Sequence, residues 1–295
     1  MIKKIAIAIM AGVLMISFNK YNSLTNTTAK TIAMTTKSKY VEDIVYKFMP
    51  KDMELYSAIK SKRNNTIKYK DLDGDKEKEI LFTFKSIKND NVGGIIVLKE
   101  DGGEWKEILR DYGEGRLVYD IYYADINGDN KDELLIGSFI GYKEGNDLRI
   151  YKFNDDCKLQ LIGEEGYHKI LIKDMPNTQG RCDGRDEIAL WQKANGDAYV
   201  VKVLRFNDGG LVEARDVYPY YFKKVVDYYK FNLKKDYNKN NALMWYYFID
   251  AQLKANNPKE ALNSIYEVKK LCPEGYGNMK KMFDRLEKQA IGSYN

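Results

Sequence analysis

One acidic stretch recurs along this chain and decides its fold: Asp71-Leu72-Asp73-Gly74-Asp75-Lys76-Glu77-Lys78-Glu79-Ile80-Leu81. It returns as Asp125-Ile126-Asn127-Gly128-Asp129-Asn130-Lys131-Asp132-Glu133-Leu134-Leu135 and, in eroded form, as Asp183-Gly184-Arg185-Asp186-Glu187-Ile188-Ala189. The fifth-position aspartates are Asp75, Asp129 and Asp183 and the ninth-position glutamates are Glu79, Glu133 and Glu187, so the copies are equally spaced. This constant spacing, called the repeat interval below, indicates one repeated supersecondary unit.

Each acidic stretch lies among runs that predict short strands, separated by turns rich in Gly, Asp and Asn. The predicted strands are residues 67–70, 80–84, 94–98 and 105–109, then 119–123, 134–139, 148–153 and 159–162, then 170–172, 188–192, 198–204 and 211–214. Ile96, Ile150 and Leu204 are also separated by the repeat interval, which predicts that the register continues beyond the acidic stretch. Each unit is therefore predicted to be a four-stranded antiparallel meander, the size of a propeller blade.

The third unit departs from the first two in its acidic stretch. An insertion-like segment, residues 174–180, stands where the first half of the loop should be. We therefore expect the early ligand positions of this loop to be missing, with only Asp183 and Glu187 left. The third loop is predicted to be a plain turn.

Beyond Asp216 the hydrophobic period changes from that of strands to that of helices. Pro219 suits the first turn of a helix that runs toward Leu233. We expect next a loop at 236–241, helices over 242–255 and 259–271, a break at 273–275 and a last helix to about residue 290. The predicted fold class is mainly β with an α C-terminal domain: three four-stranded antiparallel propeller-like blades, an incomplete propeller, followed by a helical-hairpin repeat.

The N-terminus has the pattern of an export signal. Lys3 and Lys4 precede an apolar run over 5–18, which is too short for a comfortable membrane span. Residues 19–39, rich in Thr, Asn and Lys, predict a linker, and a short helix is expected before Pro50. The predicted division is 1–18 signal peptide or N-terminal anchor, 19–39 linker, 40–216 β-blade domain and 217–295 helical domain.

The charge of the chain gives no reason to expect nucleic-acid binding. The formal net charge is +5. Four of those charges, Lys3, Lys4, Lys20 and Lys30, lie in the N-terminal segment up to Lys30, which contains no acidic residue, so the remainder carries only +1. We expect a secreted or cell-surface protein that touches the membrane only through its N-terminal segment.

Cysteine and histidine usage removes several classes of chemistry. The three cysteines have no CxxC spacing, so a zinc site is not predicted. Cys157 and Cys182 are either paired in a disulfide or free thiols. His168 is the only histidine, and no phosphate-cradling glycine loop is present, so we predict no catalytic residues and no cofactor besides a metal. Abundant carboxylates keep a glycosidase open as an alternative.

The alternating oxygen-bearing residues of the first two loops predict calcium sites. Calcium prefers a cage of about six to eight oxygen ligands, and a curling loop turns every other residue inward. An ordinary turn would not need carboxylates at alternate positions, because each close exposed pair repels by about 1 kcal/mol without a cation. The candidate ligands are Asp71, Asp73, Asp75, the carbonyl of Glu77 and Glu79 in the first loop, and Asp125, Asn127, Asp129, the carbonyl of Lys131 and Glu133 in the second.

These loops resemble FG-GAP or VCBS repeats, the calcium-bearing blades of integrin-type β-propellers, over about residues 66 to 215. The shared pattern is Asp-x-Asp/Asn-Gly-Asp-x-x-x-acid before a branched apolar pair. Lys76 and Asn130 stand where these repeats usually have a second glycine, and Asn tolerates the left-handed backbone better than Lys. The resemblance implies an open arc of three blades, because propellers need at least four to close. The arc is either covered by the first helix and the helical tail or completed by a partner.

The helical tail resembles a single tetratricopeptide repeat. The positions that match are Trp245, Phe248, Ala261, Ile265 and Pro273, while Ile249 and Gln252 depart from the pattern. The resemblance implies protein recognition, and a helical cap that stabilises the blades is the alternative. The layout as a whole also resembles exported proteins of spore-forming Firmicutes. The aromatic residues from Tyr218 to Phe231 predict packing against the next domain in preference to a binding strip.

Taken together, the patterns predict an exported, non-enzymatic, calcium-binding module of the cell surface or envelope. Its expected partner is a protein or a cell-wall glycan. The alternative is a carbohydrate-binding protein or glycoside-active enzyme that uses the open blade faces, with Trp105 or Trp191 beside the carboxylates. A third hypothesis is that the blades are purely structural and the tail alone binds a protein.

Overall fold

The computed structural model describes residues 39–61, 66–113, 116–207 and 209–292, and the chain divides into two compact units, 1–52 and 53–295. Of the first unit it describes residues 39–52, which contain a helix, α1, over 39–48. This confirms the helix predicted before Pro50; Val41 and Val45 are buried. The predicted export segment and nearly all of the linker lie outside the described residues. Within the described ranges, none of the helices combines the length and the apolar character that a membrane crossing needs.

Three antiparallel sheets make up most of the second unit. All twelve predicted strands are present, and one further strand, β1, pairs with the same strand as β2 and makes the first sheet five-stranded. The first sheet contains β1 (Met53–Leu55), β2 (Ile67–Lys70), β3 (Glu79–Ser86), β4 (Gly93–Asp101) and β5 (Glu104–Asp111). The second contains β6 (Val118–Ala124), β7 (Glu133–Gly141), β8 (Gly145–Phe153) and β9 (Leu159–Tyr167). The third contains β10 (Lys169–Asp174), β11 (Asp186–Asn195), β12 (Ala198–Asn207) and β13 (Gly210–Glu213).

The sheets pack face to face in chain order, because their central strands are apolar on both faces. Leu81 and Val97 of the first sheet share a core with Leu134 of the second. On the other face of the second sheet, Leu135 and Ile150 pack with residues of the third sheet, including Ile188. The prediction of a mainly β chain with C-terminal helices is therefore confirmed.

The pairing of β4, β8 and β12, the third strand of each repeat, corrects one sequence prediction. Ile96 pairs with Phe82, whereas Ile150 pairs with Leu135 and Leu204 with Ile188. The partners Phe82, Leu135 and Ile188 are spaced one residue closer together than the repeat interval. Ile96, Ile150 and Leu204 therefore do not occupy equivalent positions in the three sheets. The truly equivalent positions, which face the next layer in each sheet, are Val97, Ile150 and Val203. The register predicted for the third strands from the repeat interval was wrong by one position per unit.

The helical tail is the last layer of the stack. Its helices are α2 (Tyr218–Leu233), α3 (Asp236–Lys239), α4 (Ala242–Lys254), α5 (Pro258–Leu271), α6 (Pro273–Asn278) and α7 (Lys280–Gly292), after a 3-10 turn at Arg215–Val217. The loop predicted at 236–241 contains the short helix α3, and the break predicted at 273–275 is the start of the short helix α6, so both predictions are corrected. α2 packs on the third sheet: Trp191 Nε1 donates a hydrogen bond to Tyr221 Oη at 2.7 Å, and Tyr229 Oη donates to the carbonyl of Tyr199 at 2.7 Å. The prediction that the α2 aromatics pack against the next domain is confirmed for these residues.

Candidate metal centre

The three acidic loops join β2 to β3, β6 to β7 and β10 to β11, the first and second strands of each repeat, and their ninth-position glutamates share one role. Each glutamate is at most 3% exposed and stands at or near the start of the second strand. Each accepts a hydrogen bond from a backbone N–H just after the first strand, which closes the loop. The distances are 2.8 Å from Leu72 N to Glu79 Oε2, 3.0 Å from Ile126 N to Glu133 Oε2 and 2.8 Å from Met175 N to Glu187 Oε2.

The first-position aspartates fold the first two loops into the same curl. Asp71 accepts hydrogen bonds from the N–H groups of Gly74 and Lys76, and Asp125 accepts them from the equivalent residues of the second loop. Lys76 has a φ of 74° and Asn130 a φ of 62°. Both residues therefore adopt the left-handed backbone for which a second glycine is usual in such loops.

The third loop keeps more of this arrangement than its sequence suggested. Asp174, at the end of β10, accepts a hydrogen bond from Gly184 N at 3.0 Å, as Asp71 does from Lys76 N at 2.9 Å. Gly184 has a φ of 84° and so occupies the left-handed position itself. The expectation that the early acidic positions are lost was therefore wrong for the first of them. The insertion lies after Asp174 and separates it from Asp183 in sequence.

The first loop brings its carboxylates closest together. Carboxylate oxygens of Asp71, Asp73 and Glu79 all lie within 4.8 Å of one another. The ammonium of Lys99, on β4, lies 2.8 Å from Asp73 Oδ2, 2.6 Å from Asp75 Oδ2 and 3.2 Å from Glu79 Oε1. Burial works to lower the pKa of Lys99, but its hydrogen bonds with Asp73 and Asp75 outweigh this and raise the pKa well above its ordinary value. The hydrogen bond from Lys99 also lowers the pKa of Asp75.

The second loop has a similar set of oxygens but a weaker internal cation. Lys152 Nζ lies 3.4 Å from Asp129 Oδ2, and this is the ion pair that links it to the loop. Asn127 donates its amide to Glu133 Oε1. Burial raises the pKa of Glu133 to about 7, because its charge is less well compensated than that of a solvated carboxylate. A cavity of about 350 Å³ adjoins Asp129 and Glu133.

In the third loop the cation is an arginine. Arg205 Nε and Nη2 lie 2.8 Å and 2.6 Å from Glu187 Oε1, and the same guanidinium reaches Asp216 Oδ2 at 3.1 Å. Glu187 is fully buried, and burial raises its pKa. The buried carboxylate of the third loop is thus neutralised within the chain.

Neighbouring loops also touch one another. Asp186 N donates a hydrogen bond to the carbonyl of Asp125 at 2.8 Å, which ties the third loop to the second. Lys70 and Asp132 form an ion pair between the first and second sheets. The three loops therefore lie side by side along one edge of the stacked sheets.

Glu77 and Lys131, predicted as carbonyl ligands, are exposed residues of these loops. The N–H of Glu77 donates to Asp75 Oδ1 at 2.8 Å, and the N–H of Lys131 donates to Asp129 Oδ1 at 2.9 Å. These bonds hold the fifth and seventh positions of each loop together.

His168 lies outside the acidic loops, whereas the two exposed cysteines adjoin them: Cys157 lines the cavity beside the second loop, and Cys182 Sγ donates to the carbonyl of Asp174 at 3.8 Å. The ring of His168 bridges two backbone groups: Nδ1 accepts from Lys193 N at 3.1 Å, and Nε2 lies 2.9 Å from the carbonyl of Lys143. Both ring nitrogens therefore serve the packing of neighbouring hairpins. Cys157 and Cys182 are both exposed free thiols.

The chain matches no protein-family model, and no curated protein matches it either.

Proposed function

We propose that this chain is a non-catalytic interaction module of the cell surface, built on propeller-like blades whose acidic loops are stabilised by cations. The observation that carries the proposal is the shared geometry of the loops. Three buried glutamates at equivalent positions each close an acidic loop, and the loops contact one another along one edge. Such an edge concentrates negative charge, and cations bound there would stiffen the joints between the sheets.

Calcium is the proposed ion for the second loop. Its donors would be Asp125, Asn127, Asp129, Glu133 and the carbonyl of Lys131, an all-oxygen set of the kind that calcium prefers. The deciding features are that Lys152 contacts the loop through Asp129 at 3.4 Å and that a cavity adjoins the loop. A bound ion would neutralise the buried Glu133 and fix the curl.

Thermal unfolding in calcium and in chelator tests this proposal. We expect calcium to raise the melting temperature of the parent chain and to have no such effect on Asp129→Ala. Asp155→Ala is the matched control, because Asp155 lines the same cavity but lies outside the loop. Magnesium serves as the ion control, since it demands a smaller octahedral cage. If calcium leaves the parent unchanged, or shifts Asp129→Ala equally, the proposed calcium site is absent.

The proposed contact surface for a protein partner is a groove of about 660 Å³ on the tail, between α2, α4 and α5. Its apolar floor includes Trp245 and Phe248. Gln252 also lines it, and among the described residues the side-chain oxygen of this buried residue has no hydrogen-bond partner. Lysines lie on the α2 wall and glutamates on the α5 wall; these are Lys230, Lys234, Glu260 and Glu267. The groove therefore suits an apolar peptide segment that carries acidic residues on the side facing the lysines and basic residues on the side facing the glutamates. An N–H group of this peptide would donate a hydrogen bond to the side-chain oxygen of Gln252.

Selection from a random peptide library tests this surface. Peptides that bind the parent should carry the predicted bipolar pattern and lose binding to the double variant Lys230→Glu/Lys234→Glu. The control is Lys223→Glu/Lys224→Glu, which makes the same charge change on α2 beside a different cleft. Equal loss with both variants would assign the effect to net charge and remove the groove as the binding surface. Removing the tail is a poor test, because α2 covers the apolar face of the third sheet.

The alternative of a carbohydrate-binding or glycoside-active protein receives less support. Trp191, one of its two candidate stacking residues, is buried beneath α2 and hydrogen-bonded to Tyr221. Sugar stacking needs an exposed aromatic face, which Trp191 does not offer. Trp105, the other candidate, is half-buried on β5, so the alternative depends on that residue.

A further inference from the structure

Each acidic loop faces one basic residue on the third strand of its own repeat, which is β4, β8 or β12. The pairs Ile80–Leu98, Leu134–Tyr151 and Ile188–Leu204 place the next residue of each third strand directly opposite the loop glutamate. These opposing residues are Lys99, Lys152 and Arg205. Because they sit at the same point of the same fold, their side chains can be compared as alternative cations for one kind of loop.

Of these three residues, Lys99 contacts the most carboxylates of its own loop. Its ammonium contacts Asp73, Asp75 and Glu79 at 2.6–3.2 Å, and the side chain is only 13% exposed. An ammonium has three N–H donors, so three carboxylate oxygens complete its hydrogen bonding. The same group also lies 5.9 Å from the centre of the Phe153 ring in the second sheet, which further restricts it.

The ligand oxygens that calcium would need in the first loop are the oxygens that Lys99 holds. Calcium requires about six to eight oxygens at roughly 2.3–2.6 Å, and two cations cannot share such a small carboxylate cluster without strong repulsion. Lys152, by contrast, contacts its loop through Asp129 at 3.4 Å and is 37% exposed. The first loop therefore does not fit the calcium ion that its resemblance to FG-GAP repeats implies, although its carboxylates alone would.

We propose that Lys99 is the resident cation of the first loop and takes the place of calcium there. This inference rests on the proposed role of the loops as cation-stabilised joints. Lys99 is thus the residue that decides which cation this loop holds. Removing its charge converts the first loop into a calcium site, because Asp71, Asp73, Asp75 and Glu79 then lack a counter-ion.

Calcium stoichiometry, measured by titration calorimetry on the full chain, tests the proposal with Lys99→Met. This variant should bind one calcium ion more than the parent. Its melting temperature in chelator should fall below that of the parent, and calcium at about 100 times its Kd should raise it by about 5 °C or more. Lys106→Met is the control, because Lys106 forms an exposed ion pair with Asp101 in the same sheet; its stoichiometry should equal that of the parent.

A second variant keeps the test valid if Lys99→Met does not fold without calcium. Asp75→Ala in the parent background should leave the number of bound calcium ions unchanged, since the first loop binds none. Loss of an ion in Asp75→Ala, or no extra ion in Lys99→Met, would overturn the inference. The proposed calcium site of the second loop is judged separately, by whether Asp129→Ala loses an ion that the parent binds.

Discussion

Arg185 of the third loop lies over Gly128 of the second, so closely that a Cβ atom on Gly128 would lie 2.8 Å from Arg185 Cγ. The relationship repeats one unit earlier, where a Cβ on Gly74 would lie 3.2 Å from Lys131 Cε. Lys131 and Arg185 are separated by the repeat interval, as are Gly74 and Gly128. The loop glycine therefore serves two purposes: it permits the left-handed backbone, and it makes room for a side chain of the next unit.

Gly128→Ala should destabilise the chain by more than the backbone strain alone. Gly128 has a φ of 82°, and an L-residue at such a position costs about 1 to 2 kcal/mol. Gly102→Ala is the matched control, because Gly102 has a φ of 62° and nothing within 4 Å of the added Cβ. Urea unfolding should show a larger loss of unfolding free energy for Gly128→Ala. Equal losses would mean that Arg185 moves aside freely and that the contact between loops contributes nothing.

The sequence predicted the strands well and placed the loop glutamates at equivalent positions, because both follow the repeat interval and strong local patterns. It did not predict the internal cations. Lys99, Lys152 and Arg205 are spaced one residue closer together than the repeat interval. The reason is that the register between the second and third strands shifts by one position from each unit to the next. Asp174 was missed because an insertion separates it from Asp183, and only the folded loop brings it back to Gly184.

The elements that the sequence did not predict are the short ones. β1 has three residues and gains its partner from β3, far along the chain, so no local pattern marks it. α3 and α6 have four and six residues and are rich in Asn or Gly, which favour turns. Tertiary packing decides such segments, and a single sequence carries little of that information.

Arg205→Leu should be strongly destabilising. Glu187 is fully buried and depends on Arg205, and removing one partner of a buried pair leaves an uncompensated charge that costs about 3 kcal/mol. The control is Arg215→Leu: Arg215 is 80% exposed, and its ion pair with Glu213 should contribute less than about 0.5 kcal/mol. Both values come from urea unfolding at neutral pH.

A double variant separates the charge effect from lost packing. Glu187→Leu/Arg205→Leu removes both charges and should recover part of the stability lost in Arg205→Leu, because no buried charge remains. The prediction does not hold if Arg205→Leu is as stable as Arg215→Leu. It also does not hold if the two substitutions are additive, so that the double variant loses the unfolding free energy of Arg205→Leu and of Glu187→Leu together.

Asp197, in the turn between β11 and β12, should make the joint between the third sheet and the tail sensitive to acid. Its carboxylate accepts hydrogen bonds from Asn238 Nδ2 at 3.1 Å and Tyr237 Oη at 3.2 Å, and Lys235 Nζ lies 3.5 Å away. The hydrogen bond from Asn238, followed by those from Tyr237 and Lys235, lowers the pKa of Asp197. A lowered folded-state pKa contributes stability that is present above the unfolded pKa of about 3.9 and is lost as the pH falls through the folded value.

Asp197→Asn should therefore cost less than about 1 kcal/mol at pH 7, because the site is partly exposed, and nothing once the pH falls below the folded pKa. Unfolding free energies of parent and variant, measured from pH 7 downward, should converge at the acid end. Asp236→Asn is the control: Asp236 is 93% exposed, so loss of its ion pair with Lys239 should change the unfolding free energy only slightly at any pH. A difference for Asp197→Asn that stays constant with pH would exclude a role of its charge.

The hydrogen bond between Trp191 and Tyr221 should hold the tail to the third sheet. Both residues are buried, so Tyr221→Phe leaves the indole N–H of Trp191 without a partner, at a cost of about 1 to 2 kcal/mol. The neighbouring Tyr220 is 43% exposed and contacts Lys173 Nζ only at 3.4 Å, so Tyr220→Phe should change the stability by less than about 0.5 kcal/mol. Urea unfolding followed by tryptophan fluorescence measures both. Each variant removes one hydroxyl from adjacent residues of one helix, so a larger effect for Tyr221→Phe would support the role of the buried hydrogen bond. Equal effects would mean that this hydrogen bond does not hold the tail to the third sheet.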